Sequence, residues 1–229
     1  PALLFRVVDG FIERVDVDRL PARVRARARQ LLAPIERQSW LRADALGRAL
    51  DLLAQIPGAT LSARLVKGTE FGGAVIELAG DAEFAQGWVG LDNNVSEPLG
   101  STRQTLGMGL SNLVGRGDRL VIQASGNFRE GFAGPHPVHR ALVGDFSSGI
   151  GSYGLTGNVG VVDVLSEPTV PDGVLKIGSA FRQVTMGLRY PLLLGPEASL
   201  NVGAQLDANE ERSFLAYEGA GDIAYDLSL

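Results

Sequence analysis

From Gln104 to Leu110 two kinds of position alternate without a break. Gln104, Leu106, Met108 and Leu110 fall on one side, and Thr105, Gly107 and Gly109 on the other. A period of two is the signature of a strand. Asn112-Leu113-Val114-Gly115-Arg116-Gly117-Asp118 then reads as a turn, since Gly supplies left-handed backbone and Asn and Asp supply local hydrogen bonds. Alternation resumes with Leu120, Ile122 and Ala124 against Val121, Gln123, Ser125 and Asn127. This pattern predicts a hairpin with one apolar face and one small or polar face. The same period predicts strands over 83–93, 102–112, 119–128, 140–150, 155–165, 176–190, 198–208 and 214–229, with a bulge or register change where the alternation breaks at Val161-Val162. Short turns at 113–118, 151–154 and 191–197 fall one strand pair apart, so they share one end. Loops at 94–101, 129–138, 167–173 and 209–213 share the other.

The first 80 residues follow another rhythm. Positions 3–17 read as one strand, with a bulge at Asp9-Gly10. Pro21 occupies a favoured first-turn position, and Val24, Ala28, Leu31, Leu32 and Ile35 recur at helical spacing. A second helix is predicted from Trp40 to Gln55, with Leu41, Ala45, Leu46, Ala49, Leu50, Leu52 and Leu53 as its stripe and Pro57-Gly58 as its stop. Strands at 60–66 and 74–79 complete a β-α-α-β-β order. Arg23, Arg27 and Arg29 fall mostly outside the first stripe and are expected on a solvated face. No nucleic-acid partner is expected, because no aromatic platform accompanies them and the chain as a whole is acidic.

Charge divides the 229 residues in the same place as the periodicity does. The formal net charge of −5 is the sum of about +3 over residues 1–80 and about −8 over 81–229. A β-rich second part containing many of the 30 glycines suits strands with one small or polar face. Its apolar face needs an apolar partner, and about ten residues suffice for a tilted strand to cross a bilayer. The lack of cysteine removes disulfide and thiolate chemistry. No apolar run is long enough for a membrane-spanning helix. The chain begins at Pro1 without a signal peptide and reads as a mature or truncated segment.

Three motifs occur in order: L-x-R-A-L-x-L-L-x-x-I-P-G (Leu46 to Gly58), L-V-K-G-T-E-x-G (Leu65 to Gly72), and G-L-D-N-N followed by N-L-V-G-R-G-D (Gly90 to Asp118). The first two resemble a POTRA domain, and the third resembles the start of a barrel. Together they resemble the outer-membrane transporters of two-partner secretion, the TpsB group of the Omp85 superfamily, of haemolysin secretion/activation type. Leu113 stands where that family often has Pro. The resemblance implies an α+β POTRA domain over 1–80 and, over 81–229, the first part of an antiparallel transmembrane barrel of about sixteen strands. It implies a Gram-negative outer-membrane location with the POTRA domain in the periplasm, and a monomer when full length. It also implies a secreted exoprotein, bearing an N-terminal secretion domain, that is recognised in the periplasm and passed through the lumen. The alternatives within reach are a related Omp85 protein-insertion factor and a passive barrel pore.

Strand addition is the physical route for capturing an extended peptide. The candidate edge is Leu61, Ser62, Ala63, Arg64, Leu65 and Val66. Alternation directs Arg103, Gln123, Asn127, Arg189, Asn201 and Gln205 into the lumen, and the outer surface is expected to meet outer-membrane lipid. Trp88, Phe128, Tyr190 and Tyr225 near strand ends are candidates for interfacial girdles. No catalytic, cofactor or metal site is expected. Gly149-Ile150-Gly151-Ser152-Tyr153-Gly154 fits a dinucleotide fingerprint but lies between strands, so it reads as a hairpin turn. His136 and His139 lack further ligands, Ser147-Ser148 lack a nucleophile elbow, and Asp207, Glu210 and Glu211 read as loop charges at a strand end.

Overall fold

A computed structural model describes residues 10–36, 38–129, 132–168, 175–195, 197–217 and 225–228. Its N-terminal unit comprises β1 (Phe11–Arg19), α1 (Ala22–Glu36), α2 (Ala43–Ala54), β2 (Ala59–Lys67) and β3 (Gly73–Ala82). The strand order is β1-β3-β2, with β3 parallel to β1 and antiparallel to β2. The predicted first-helix stripe is wholly buried, and Ala49, Leu52 and Leu53 are buried on α2. They meet Ile12, Val17, Ile76 and Leu78 in one core. Each fully buried Leu, Ile or Val contributes roughly 1.5–3 kcal/mol. Trp40 precedes α2 and is exposed.

Positions 3–9 of the expected first strand, including Asp9, lie outside the described residues. Register shifts in β1 fall instead at Ile12/Arg14 and Asp16/Arg19. The first leaves Glu13 unpaired with β3, and its carboxylate accepts hydrogen bonds from Thr69 Oγ1 (2.5 Å), Thr69 N (2.9 Å) and Glu70 N (3.3 Å). The Thr69 hydroxyl, then the Glu70 amide, hold the Glu13 carboxyl below the usual glutamate range. This tie across the β2–β3 connection is therefore present at neutral pH and is lost as pH falls through the lowered value.

The second sheet contains β4 (Ala85–Asp92), β5 (Arg103–Ser111), β6 (Arg119–Gly126), β7 (His139–Ile150), β8 (Leu155–Ser166), β9 (Leu175–Leu193), β10 (Leu200–Tyr217) and β11 (Tyr225–Ser228). They lie in sequence order, every neighbouring pair antiparallel. Register carries the alternation across the whole sheet. Val89, Leu106, Ile122, Phe146, Val159, Met186, Leu188 and Leu206 share one face and are all exposed.

Two expectations are corrected here. Residues 209–213 are not a loop: β10 runs through them, with Glu210 opposite Arg182, Glu211 opposite Phe181 and Arg212 opposite Ala180. A strand that leaves the apolar layer into water carries charged residues without ceasing to pair. At 19 and 18 residues, β9 and β10 exceed the roughly ten that a membrane crossing needs. Asp207, Glu210 and Glu211 are therefore strand residues. Val161-Val162 is not a bulge either, since pairing with Gly144 and Val143 is continuous. The alternation breaks because the polar face is locally apolar there, with Val162 directly opposite Val143.

Candidate functional site

The topology places β2 at an edge of the small sheet, paired with β3 only, from Ala59↔Ala82 to Lys67↔Ala74. Leu61 packs against the core, but Ser62, Ala63, Arg64 and Leu65 are exposed in succession, Leu65 by 53%. Ala63 and Leu65 share the face of Leu61 by strand parity, so the apolar strip outruns the core that covers its start. The candidate segment therefore offers an open backbone edge and an apolar strip together.

Most of the expected lumen residues sit as the alternation directs. Arg103, Gln123, Arg189, Asn201 and Gln205 share the polar face with Gly107, Thr156 and Gly187. Arg103 Nε donates to Asp92 Oδ2 at 3.0 Å. Asp207, mid-strand on this face, accepts hydrogen bonds from Thr185 Oγ1 (2.6 Å), Gln183 Nε2 (3.0 Å) and Gln205 Nε2 (2.9 Å). Asn127 is the exception. It lies beyond the end of β6, buried, with its amide against Gly100 and its Oδ1 accepting from Arg129 N at 3.1 Å. The turn around the short 3-10 segment Glu97–Leu99 covers it, so it fastens a loop and does not line a wall.

Trp88 is also corrected. It lies on the polar face, its indole covering Gly107, where a Cβ would stand 2.1 Å from the ring. Glycine is needed there for that approach. Phe128 packs edge-to-face on Phe132 in the loop, with ring centroids 4.3 Å apart. The Tyr225 side chain lies outside the described residues. His136 Nδ1 meets Glu167 Oε1 at 2.6 Å, while His139 opens β7. Among the described residues no three His, Asp or Glu side chains are grouped to hold a metal ion. Gly149 and Ile150 end β7 and Gly151 to Gly154 forms the β7–β8 turn, as the strands on either side require.

The joint between the two units was not legible beforehand. Arginines at 23, 25, 27 and 29 are two residues apart on a helix, so successive members point to nearly opposite sides. Arg25 binds the Leu20 and Asp18 carbonyls at 2.7 and 2.8 Å, beside β1. Arg23 and Arg27, four apart and on one side, reach the barrel sheet instead. Arg23 stacks 4.0 Å above the Phe84 ring. Arg27 is not solvated: it is 5% exposed, and its Nη1 donates to Gln30 Oε1 (2.8 Å) and Gly151 O (2.6 Å). Burial lowers the Arg27 pKa, and among the described residues no carboxylate pairs with it. Its guanidinium lies where a side chain at Gly149 would be, and its stem packs beside Gly117.

Arg48 of α2 repeats the device, donating to Pro191 O at 2.5 Å and Leu192 O at 3.2 Å. From the barrel side, Asn112 Nδ2 donates to Pro57 O at 2.7 Å. Asn112 is held in left-handed backbone (φ 56°), and its turn is closed by buried Asp118, which accepts from Leu113 N (2.6 Å) and Arg116 N (3.1 Å). All three short turns thus meet the helical unit. A cleft of about 420 Å³ remains at this junction, lined by Arg27, Leu52, Ile56, Arg189 and Asn201 among others. Arg189 is a fixed charge on the polar face at that mouth. Replacing it with Glu should shift ion selectivity toward cations, visible as a change of reversal potential across a planar bilayer under a salt gradient. An unchanged potential would show that ions do not pass Arg189.

Two solved structures share this architecture. CdiB from Escherichia coli matches with a TM-score of 0.72 at 15% identity, over 96% of this chain and 40% of that one. CdiB from Acinetobacter baumannii matches with a TM-score of 0.65 at 14% identity, over 95% of this chain and 40% of that one. The chain therefore spans about two-fifths of the length of these structures. No family model and no curated protein matches it. At this identity the likeness establishes the fold: an α/β unit leading into antiparallel barrel strands, as the resemblance implied.

Proposed function

We propose that this chain is the barrel-proximal POTRA domain and the first strands of a two-partner secretion transporter in a Gram-negative outer membrane. The observation that carries the reading is one juxtaposition. A small α/β unit with a bare strand edge is clamped over the end of the polar face of a sheet whose other face is an exposed apolar belt. The apolar belt meets lipid, the polar face lines the lumen, and the α/β unit stands in the periplasm. A partner exoprotein adds a strand to β2 through its N-terminal secretion domain, then passes the junction and the wall at Arg189, Asn201 and Gln205. The fold shared with CdiB, a transporter of this kind, supports the same reading. No residue is given a catalytic role, and no cofactor is required.

The test is export. Cells producing the complete transporter with its partner should release the partner into the medium, whereas cells lacking the transporter should retain it in the periplasm. Partner retention with normal assembly of other barrels would reject secretion. Impaired assembly of other barrels in the same cells would favour the insertion factor.

A further inference from the structure

The apolar belt ends in a row of charge. On the outward face, at the end away from the helical unit, Arg182 of β9 lies opposite Glu210 of β10, with Arg212 one outward position further on. Asp163 of β8 is opposite Arg182 on its other side, and the Arg182 Nε donates to its Oδ2 at 3.0 Å. Arg212 Nε donates to Glu210 Oε1 at 2.8 Å. Arg140 completes the row; its Nη1 binds the Phe132 and Gly134 carbonyls at 3.2 and 3.3 Å, so it fastens the adjoining loop.

Position decides what these charges meet. From Arg182 the same face continues through Val184, Met186, Leu188 and Tyr190, eight residues of strand. At roughly 3.3 Å per residue and a tilt of about 40° this is about 20 Å of height, close to the apolar band of a transmembrane barrel. The Arg182 and Arg212 side chains are 68% and 61% exposed. The Nη fork of Arg182 has no partner among the described residues. Among these five side chains three guanidiniums stand against two carboxylates, and the next strand places Asp226 opposite Phe214, diagonal to Arg212. Diagonal residues on adjacent strands lie within reach of one bridging anion.

We infer that Arg182 and Arg212 form a headgroup site for the phosphorylated glycolipid of the outer leaflet, whose phosphate bridges the two guanidiniums while its acyl chains lie along Val184, Met186 and Leu206. Guanidinium forks match phosphate geometry; Asp163 takes the Arg182 Nε and leaves its Nη pair outward, while Glu210 takes Nε and Nη2 of Arg212 and leaves its Nη1 for the phosphate. This rests on the membrane orientation proposed above. It also predicts a specific lipid contact at one boundary, beyond a general affinity for bilayer.

The experiment uses the complete protein reconstituted in nanodiscs of phosphatidylcholine with a small fraction of bisphosphorylated lipid A. Lipid retained after mild detergent extraction is counted by native mass spectrometry. The wild type should retain lipid A, and Arg182→Gln/Arg212→Gln should retain at least tenfold less, with unchanged insertion by heat-modifiable gel mobility. Dephosphorylated lipid A should not be retained by either. Equal retention by wild type and variant, or equal retention of the dephosphorylated lipid, would overturn the site. Failure of the wild type to insert at all would overturn the membrane reading instead.

Discussion

Replacing Arg27 with Met should loosen the helical unit from the barrel sheet by about 2 kcal/mol, roughly thirtyfold in the ratio of docked to undocked forms. Met fills most of the volume of the arginine stem and carries no donor. What is lost across the joint is the charge-assisted hydrogen bond to Gly151 O; the bond to Gln30 Oε1 lies within α1 and positions the guanidinium for it. Hydrogen bonds to charged groups contribute about 1.5–3 kcal/mol each, but the desolvation of a buried guanidinium offsets part of that. The balance favours arginine because its acceptor across the joint is a backbone carbonyl oxygen that a thioether cannot satisfy. Arg27→Lys keeps one such bond and should fall between wild type and Met. Gly149→Val tests the same contact from the other side. Its side chain would occupy the guanidinium's place, with Arg27 Nη2 at 2.3 Å from the first added carbon. The measurement is limited proteolysis of the connecting segment at 83–84, with partner export in parallel. Faster cleavage and at least tenfold weaker export in both Arg27→Met and Gly149→Val are expected. Wild-type cleavage in both variants would show that Arg27 does not hold the joint.

This contact also marks where sequence reading stops. The strands of the large sheet were legible because each has one apolar and one polar face, and a period of two survives any error of a residue or two at the ends. The helices were legible from stripes that the core demands. Arg27 was not, because an arginine beside an apolar stripe has the same pattern whether it meets water or a second domain. The spacing of Arg23 to Arg27 is a signal in hindsight: two cations one turn apart, on a helix whose other arginines serve β1. The misread segment at 209–213 has a related cause. Charge density distinguishes lipid from water along a strand, and it does not distinguish strand from loop. Val161-Val162 shows the converse: the polar face need not be polar at every height, so broken alternation is weak support for a bulge. Trp88 and Asn127 were misplaced because a neighbouring Gly, at 107 and 100, made room for them, a relation between strands that no single stretch displays.

A proline pair on β2 should separate partner capture from folding, with a loss of affinity of at least tenfold. In an antiparallel edge strand, successive residues direct their backbone N–H and C=O alternately toward the neighbour and toward open space. Ala63 and Arg64 are adjacent, so one N–H belongs to the ladder with β3 and the other to the bare edge. Proline removes an N–H and fixes φ. At the ladder position it breaks pairing with Leu78 or Glu77 and should unfold the unit. At the edge position the unit should stay folded, since prolines are tolerated on edges, while an incoming strand loses a hydrogen bond and meets the pyrrolidine ring. Ala63→Pro and Arg64→Pro should therefore differ sharply: one variant melts early, and the other melts normally but binds the partner's secretion domain weakly. Leu65→Asp leaves the backbone intact and removes only the exposed apolar contact, so its loss should be severalfold. Titration of the secretion domain against the detergent-solubilised protein, with circular dichroism melts of each variant, gives both readings. If the proline variant that stays folded binds as tightly as wild type, β2 is not the capture edge. The partner must then engage another surface of the α/β unit. If binding and fold are lost together in both variants, Leu65→Asp decides: wild-type affinity there would reject β2 as well.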